Sequence, residues 1–414
     1  MSAALEGTPG RLRIAAVGAV LACLVFALLG ASAFQARGNA LDEARADAAQ
    51  LIRVQQIATS VVDADSRFTN GYLSYGLDTT DQLSTYDVAI TTAAQMIAEA
   101  SRANPADAAK LAGVNQALTL YTARVAAARS NNALGNQVAT GYLRQAANLL
   151  RDQGTSPNML PTLNTLITAN TARVDQAYSA SRAATLRLAL AALVVLAGLG
   201  LVQIWLARRT HRYLNLPLAG AGAAVLLVLI AGAIVMVSAQ SKADEVRDGA
   251  YTSTLALANA RIAAFTGKSA ESISLIYLGT GGPYAASETV YQASSKLATA
   301  DLETVNRVSK IAPGTKELLA WNTAHQKVYT AAQSDWIPAI KQATSTGQGS
   351  VNATFEALNS ATKDALTKQA KAVDKDLGGS HGALVVLGWL TLVVGLLAAG
   401  AAWTGVSQRL EEYR

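Results

Sequence analysis

The chain has 414 residues, of which 51% are apolar and 15% charged, with one cysteine, three histidines and a formal net charge of +6. That balance is too apolar for an ordinary soluble chain and suits membrane spans. It excludes an intramolecular disulfide framework. Because the excess charge sits in short linkers, the sequence pI of 9.3 does not indicate nucleic-acid binding.

Four windows, 14–36, 188–207, 216–239 and 383–405, contain no Asp, Glu, Lys, Arg or His. Each is about as long as the ~20 residues that cross a bilayer. Only Gln203 is strongly polar inside them. The spacing predicts a cytoplasmic tip (1–13), a first transmembrane helix (14–36) and a first extracytoplasmic helical bundle (37–187). A second span (188–207), a basic cytoplasmic link (208–215) and a third span (216–239) follow. A second bundle (240–382), a fourth span (383–405) and a cytoplasmic tail (406–414) complete the order.

The first window ends without a helix breaker. It passes into a stripe of Leu41, Ala44, Ala48, Leu51, Ala58, Val62 and Tyr72 at helical spacing. One helix should therefore cross the membrane and run on to Tyr75-Gly76. Beyond the span it would extend roughly 60 Å at a rise of ~1.5 Å per residue. Asp78-Thr79-Thr80-Asp81 offers turn and N-cap chemistry. A second helix carries Leu83, Tyr86, Ile90, Ala93 and Ile97, and Asn104-Pro105 stops it. A third runs through Leu111, Val114, Leu118, Tyr121 and Val125 until Ser130-Asn131-Asn132 and Gly135. An amphipathic piece over about 137–151 and a turn at 154–157 precede the helix that enters the second span.

After residue 216 the layout recurs at an offset near 203–205. Gly76 falls against Gly281, Tyr86 against Tyr291 and Arg102 against Arg307. Turns at 279–283, at Pro313-Gly314 and at 347–349 fall in matching places. The expected fold is an all-α membrane protein. It has four transmembrane helices and two tandem extracytoplasmic four-helix-bundle modules continuous with the spans.

The charges support an orientation. Segment 35–186 holds 12 basic and 12 acidic residues, and segment 239–382 holds 14 and 13. The excess lies in Arg11, Arg13, Arg208, Arg209, Arg212, Arg409 and Arg414, beside the spans. Basic flanks mark the cytoplasmic face. This places both termini and the middle link on the cytoplasmic side of the membrane. Ala31-Ser32-Ala33 resembles a signal-peptide cleavage site, but the apolar run exceeds a signal core, so an uncleaved helix is expected.

No HExxH, CxxC, Ser-His-Asp pattern or phosphate loop occurs, and the histidines are scattered. No enzyme activity, metal or cofactor is expected. Transport would place ionisable groups inside the spans, and they are absent. Gly18/Ala22 and Gly395/Ala399 suit close helix contacts, and Trp205, Trp389 and Trp403 lie near span ends as interfacial anchors. Arg67, and Arg144 near Tyr142, are candidates to bind a ligand. The turns between helices gather Gly76, Asp78, Tyr142, Arg144, Tyr284 and Trp336 at the bundle tips, the expected partner-binding residues. Arg208, Arg209, Arg212, Arg409 and Tyr413 form the expected cytoplasmic output surface.

The order of span, rising helix, hairpin, returning helix and span is similar to the four-helix-bundle sensor modules of bacterial receptors. Two such modules in tandem resemble the actinobacterial GlnX family. Gly141-Tyr142-Leu143-Arg144-Gln145-Ala146-Ala147 and the ending Gly405-Val406-Ser407-Gln408-Arg409-Leu410-Glu411-Glu412-Tyr413-Arg414 carry the residue-level resemblance. A Pro expected between Gly135 and Gly141 is missing. The resemblance implies a signal relay. An extracytoplasmic GlnH-type amino-acid-binding lipoprotein, sensing aspartate or glutamate, would dock outside. A cytosolic Ser/Thr kinase of the PknG type would receive the signal, directly or indirectly. The lipid bilayer is the remaining partner, nucleic acid is not one, and a homo-oligomer stays open. Two alternatives are a direct sensor with a small molecule inside a bundle, and a structural membrane scaffold.

Overall fold

The computed structural model describes residues 8–74, 80–152, 154, 157–210, 215–379 and 381–411. Among them every regular element is a helix. The long elements are α1 (Thr8–Tyr72), α2 (Thr80–Ala103), α3 (Ala108–Ala133), α4 (Ala139–Arg151) and α5 (Leu160–Thr210). After the link come α6 (Leu216–Val246), α7 (Thr252–Thr280), α8 (Tyr284–Ser309) and α9 (Thr315–Ser334). The last three are α10 (Trp336–Thr344), α11 (Val351–Gly378) and α12 (His381–Glu411). Four helices are long and apolar enough to cross a membrane, as a multi-pass membrane protein requires.

The chain folds as two compact units. One comprises Met1–Arg45, Arg173–Glu245 and Lys375–Arg414, and the other Ala46–Ala172 and Val246–Asp374.

The first unit holds the four apolar windows and is built for an apolar solvent. Small residues such as Ala16, Ala19, Cys23, Ala398, Ala399 and Ala402 lie in its core beside Phe26 and Val225. The bulky ones face out: Leu28, Leu193, Leu227 and Leu397 are all more than 60% exposed. Lipid tails are as apolar as leucine, so burial of leucine drives nothing there, and close contact of small residues does the holding. At Gly395 a Cβ would lie 2.5 Å from the Cβ of Ala27 and 3.2 Å from its backbone nitrogen. That position of α12 can only be glycine at the present α1–α12 approach. Gly18 meets nothing within 4 Å, whereas Ala22 lies 3.5 Å from where a Cβ on Gly198 would stand, so the first expected small-residue pair packs through Ala22 alone. Trp389 and Trp403 face outward, at 64% and 53% exposure.

At the edge of the apolar windows Arg37 is fully buried. Its Nη1 donates to Ser181 O (3.1 Å) and Thr185 Oγ1 (2.7 Å), and its Nη2 to Gln240 Oε1 (3.1 Å). Gln240 Nε2 donates to Asp244 Oδ2, and Arg182 pairs with Asp244 Oδ1 at 2.8 Å. This belt ties α1, α5 and α6; the bonds of the buried Arg37 are worth about 1.5–3 kcal/mol each, and the exposed Arg182–Asp244 pair about 0–1 kcal/mol.

The second unit draws on both long segments between spans, and its buried side chains form one hydrophobic cluster, from Val54 through Leu166 to Leu366. Helix α7 sits deep in it, with most positions from Ser253 to Ile276 buried and a narrow stripe through Leu255, Asn259, Ile262 and Thr266 left partly open. Trp321 has no exposed surface and meets Phe355 and Tyr291 edge-on at centroid distances of 5.1 and 5.3 Å. The expected turn at Asn104-Pro105 is present. Asn104 Oδ1 caps a short 3-10 turn by accepting from Ala106 N, and Gln50 and Asn170 both donate to Asp107 Oδ2.

Three joins differ from the sequence expectation. Helix α1 ends at Tyr72, before Tyr75-Gly76. A π-helical turn, Arg247–Tyr251, separates α6 from α7, where an unbroken α-helix was expected. The fourth join is not one helix: α11 ends at Gly378 and α12 begins at His381. The pair Gly378-Gly379 explains that break, since each glycine in a helix costs about 1 kcal/mol relative to alanine.

Candidate functional site at the helix ends of the large unit

The last turns of α1, α3 and α7 and the start of α10 meet around a crevice of about 170 Å³. Local chemistry places each one. Asn132 Nδ2 donates to Tyr72 O at 2.7 Å, tying the end of α3 to the end of α1. Gly135, at φ +65, turns the chain after α3, and Asn136 N reaches back to Asn131 O at 2.9 Å. Asp335 caps α10, its Oδ1 accepting from Ile337 N at 3.0 Å. Trp336 Nε1 donates to Leu275 O at 2.8 Å. The indole lies flat against Gly279, where any Cβ would collide with the ring.

Around this crevice the unit leaves apolar side chains in the open. Leu134 is 78% exposed, Ile337 69% and Val138 53%. Leaving three such side chains in water forgoes about 1.5–3 kcal/mol each, and each is a chain neighbour, within a few residues, of one that lines the crevice.

Two buried polar networks stiffen the same unit. In the first, Asp65 Oδ1 accepts from Tyr121 Oη (3.0 Å). Its Oδ2 accepts from Arg151 Nη2 (2.5 Å) and Ser269 Oγ (2.6 Å). In the second, Lys268 Nζ donates to Glu271 Oε1 (2.5 Å), and His325 lies between Glu271 Oε2 (2.7 Å) and Glu288 Oε1 (3.4 Å). The Tyr291 ring stacks on His325 at 3.4 Å. Burial opposes the charge of His325, but its bonds to the two glutamates outweigh burial and raise its pKa above the ordinary 6.5. Burial likewise opposes ionisation of Glu271, and Lys268 and His325 outweigh it and hold the carboxyl below its usual range. The network thus sets Lys268 and His325 against two glutamates, which favours the protonated form of His325.

The expected tip residues meet different surroundings. Tyr142 packs half-buried against the core, and Arg144 is exposed on α4. Tyr284 stacks on Tyr329 at 6.1 Å and accepts from Gln333. Trp336 lines the crevice with its indole nitrogen already engaged. Gly76 and Asp78 lie outside the described residues. Arg67 spans Asp63 (2.6 Å) and Glu356 (3.2 Å). Of the expected output surface, Arg208 is exposed at the end of α5, Arg209 and Arg409 fall on α5 and α12, and Arg212 and Tyr413 lie outside the described residues.

Sequence reasoning missed Arg37, the Asp65 node, the His325 network and the exposed Leu134, Val138 and Ile337. An uncharged side chain on either side of a turn residue, as at Leu134 and Ile337, was the available signal for the last.

Residues 40–179 match a family model described as an actinobacterial sensor domain. The match covers α1 beyond its apolar window through the N-terminal part of α5, including Asp65, Leu134 and Val138. It supports an actinobacterial sensor protein with a signalling role. Searches of curated proteins and of solved structures gave no match.

Proposed function

We propose that the chain is a membrane signal relay built from two copies of one device, each a pair of spans enclosing a helical bundle. Both termini and the 208–215 link lie on the cytoplasmic side in this reading. The rim of the helix-end crevice docks an extracytoplasmic amino-acid-binding lipoprotein. The state of that complex reaches a cytosolic Ser/Thr kinase through the spans. The family resemblance supplies the identity of both partners.

The observation that carries docking is the exposed set Leu134, Val138 and Ile337 at the end of α1 farthest along the chain from its apolar window. Duplication is supported by the pairs that touch. Arg37 bonds Gln240, 203 residues on, and Asp65 bonds Ser269, 204 residues on. Equivalent positions meet when two copies face each other across a pseudo-two-fold axis. The offset grows by one between these pairs, and the π turn at 247–251, which lies between Gln240 and Ser269, accommodates one extra residue.

The test uses the full chain in nanodiscs, with the purified solute-binding lipoprotein as the partner, with and without glutamate. Binding that depends on glutamate and is lost in a Leu134→Asp/Ile337→Asp double variant of unchanged melting temperature is the expected result. Equal binding by the double variant would sink the docking surface. A Gly-Gly insertion between Phe34 and Arg37 should leave docking intact and abolish the intracellular response, because it softens the helix that joins the two.

A further inference from the structure

The large unit contains a second concavity, a cleft of about 430 Å³ with α1 and α2 on one side and α7 and α11 on the other. Its charge is unbalanced. Among its lining residues Arg67, Arg261 and Lys363 stand against one carboxylate, Asp63, with Glu356 and Asp364 close enough to act on Arg261 from outside the lining. Arg67 is already paired with Asp63 and Glu356. Arg261 differs. It is only 8% exposed, and its Nη1 donates to two neutral oxygens, Asn359 O (2.7 Å) and Thr362 Oγ1 (3.2 Å). Its planar face lies over the Phe265 ring. Among the described residues no carboxylate comes within ion-pair distance of it.

A guanidinium removed from water without an anion is a costly arrangement unless a ligand completes it. Burial, its largest influence, lowers the Arg261 pKa to about 10, against the raising pull of Asp63, Glu356 and Asp364. The group therefore stays cationic at neutral pH. Beside it, the Oδ1 of Asn359 is a buried acceptor with no donor, while Asn359 Nδ2 is spent on Glu356. Val88, Met96 and Leu366 supply an apolar wall. Lys363 stands exposed at the mouth. The site thus asks for three things at once: an anionic oxygen pair for the Arg261 fork, a hydrogen-bond donor for Asn359, and a short apolar tail.

We infer that this cleft binds a small carboxylic acid carrying a hydroxyl or amino group beside the carboxylate, with its alkyl tail on Val88, Met96 and Leu366. The carboxylate takes Arg261, as planar bidentate recognition favours. The neighbouring donor takes Asn359 Oδ1, and Lys363 draws the anion in. This site stands apart from docking at the helix-end rim and holds or fails independently of it.

Isothermal titration of the full chain in nanodiscs tests it with three matched acids: butyrate, L-2-hydroxybutyrate and L-2-aminobutyrate. The hydroxy acid, the amino acid or both should bind about tenfold or more tightly than butyrate, the loss expected for one unmatched buried acceptor. Which of the two binds better identifies the donor. Arg261→Gln should weaken binding by about tenfold or more. Lys363→Glu, at an exposed position that folding does not need, should also weaken it. The inference is overturned if none of the three acids binds, if all three bind alike, or if Lys363→Glu and a folded Arg261→Gln both bind as the parent does.

Discussion

Asp65 and Ser269 lie 204 residues apart and share a hydrogen bond of 2.6 Å at the centre of the large unit. The same carboxylate accepts from Tyr121 and Arg151. Three side chains, from α3, α7 and the end of α4, therefore converge on the two oxygens of one residue of α1. A carboxylate satisfied this fully in the interior fixes the packing around it.

Replacing Asp65 by Ala should cost about 2–4 kcal/mol, because Tyr121 and Ser269 lose their acceptor and Arg151 its counter-ion. Asp65→Asn keeps an acceptor but no charge and should cost less than Ala. Thermal unfolding of the full chain in detergent measures both. An Ala variant as stable as the parent would show that the node carries no net stability.

The His325 network predicts a pH dependence of definite sign. The folded pKa of His325 is raised above 6.5. Its contribution to stability is therefore fully present below pH 6.5 and is lost as pH rises through the folded value. Glu271 contributes in the opposite sense. Its folded pKa is lowered from 4.5, so its contribution is present above that value and lost as pH falls through the folded one. Melting temperatures across about pH 5 to 9 should decline on the alkaline side for the parent. The decline should flatten in His325→Gln. A parallel decline in both proteins would assign it to other groups.

Trp336 anchors α10 through Leu275 O and the bare face of Gly279. Trp336→Ala should be destabilising, by less than the ~3–5 kcal/mol of a full core truncation because the indole is half-buried. Gly279→Ala should be harmful although it adds only one methyl, since the indole occupies that space. Hydrogen exchange at the Leu275–Thr280 amides reads the loosening. Normal protection in both variants would show that the indole contact is dispensable.

Gly395 sets the approach of α12 to α1. Gly395→Leu forces the helices apart and should lower the unfolding temperature in detergent, with a cost of about 1–3 kcal/mol for overpacking. Gly18→Ala, where nothing lies nearby, serves as the control and should be neutral. If both variants melt alike, the α1–α12 contact is not tight in the folded protein.

Much of the backbone was legible because the signals were local. The apolar windows, the Asn104-Pro105 turn, the amphipathic α4 and the glycine turns each depend on residues within a few positions of one another. The Asp65 node and the His325 network were not legible. Their members lie on different helices, and helical periodicity gives the face of a helix but not the helix it meets. His325 looked like one of three scattered histidines, and nothing within a few residues of Lys268 and Glu271 marks them as buried. Trp336 was read as a tip aromatic available to a partner. Its use against Gly279 depends on a contact 57 residues away in the chain, beyond any local pattern. The pair Gly378-Gly379 before the fourth apolar window was a local signal for the break there that sequence reasoning did not use.

The shared core of the large unit sets an order of events during synthesis. Asp65, Tyr121 and Arg151 leave the ribosome before Ser269 exists. At about 5–20 residues per second the wait is on the order of 10–40 s for Asp65 and on the order of 6–24 s for Arg151. During that interval the early segment has its carboxylate incompletely bonded and its apolar faces uncovered. Only when the later segment arrives can the interior close. Newborn chains are therefore most exposed to proteases and chaperones midway through their own production, and variants that weaken α7 should show as lost yield before they show as lost stability.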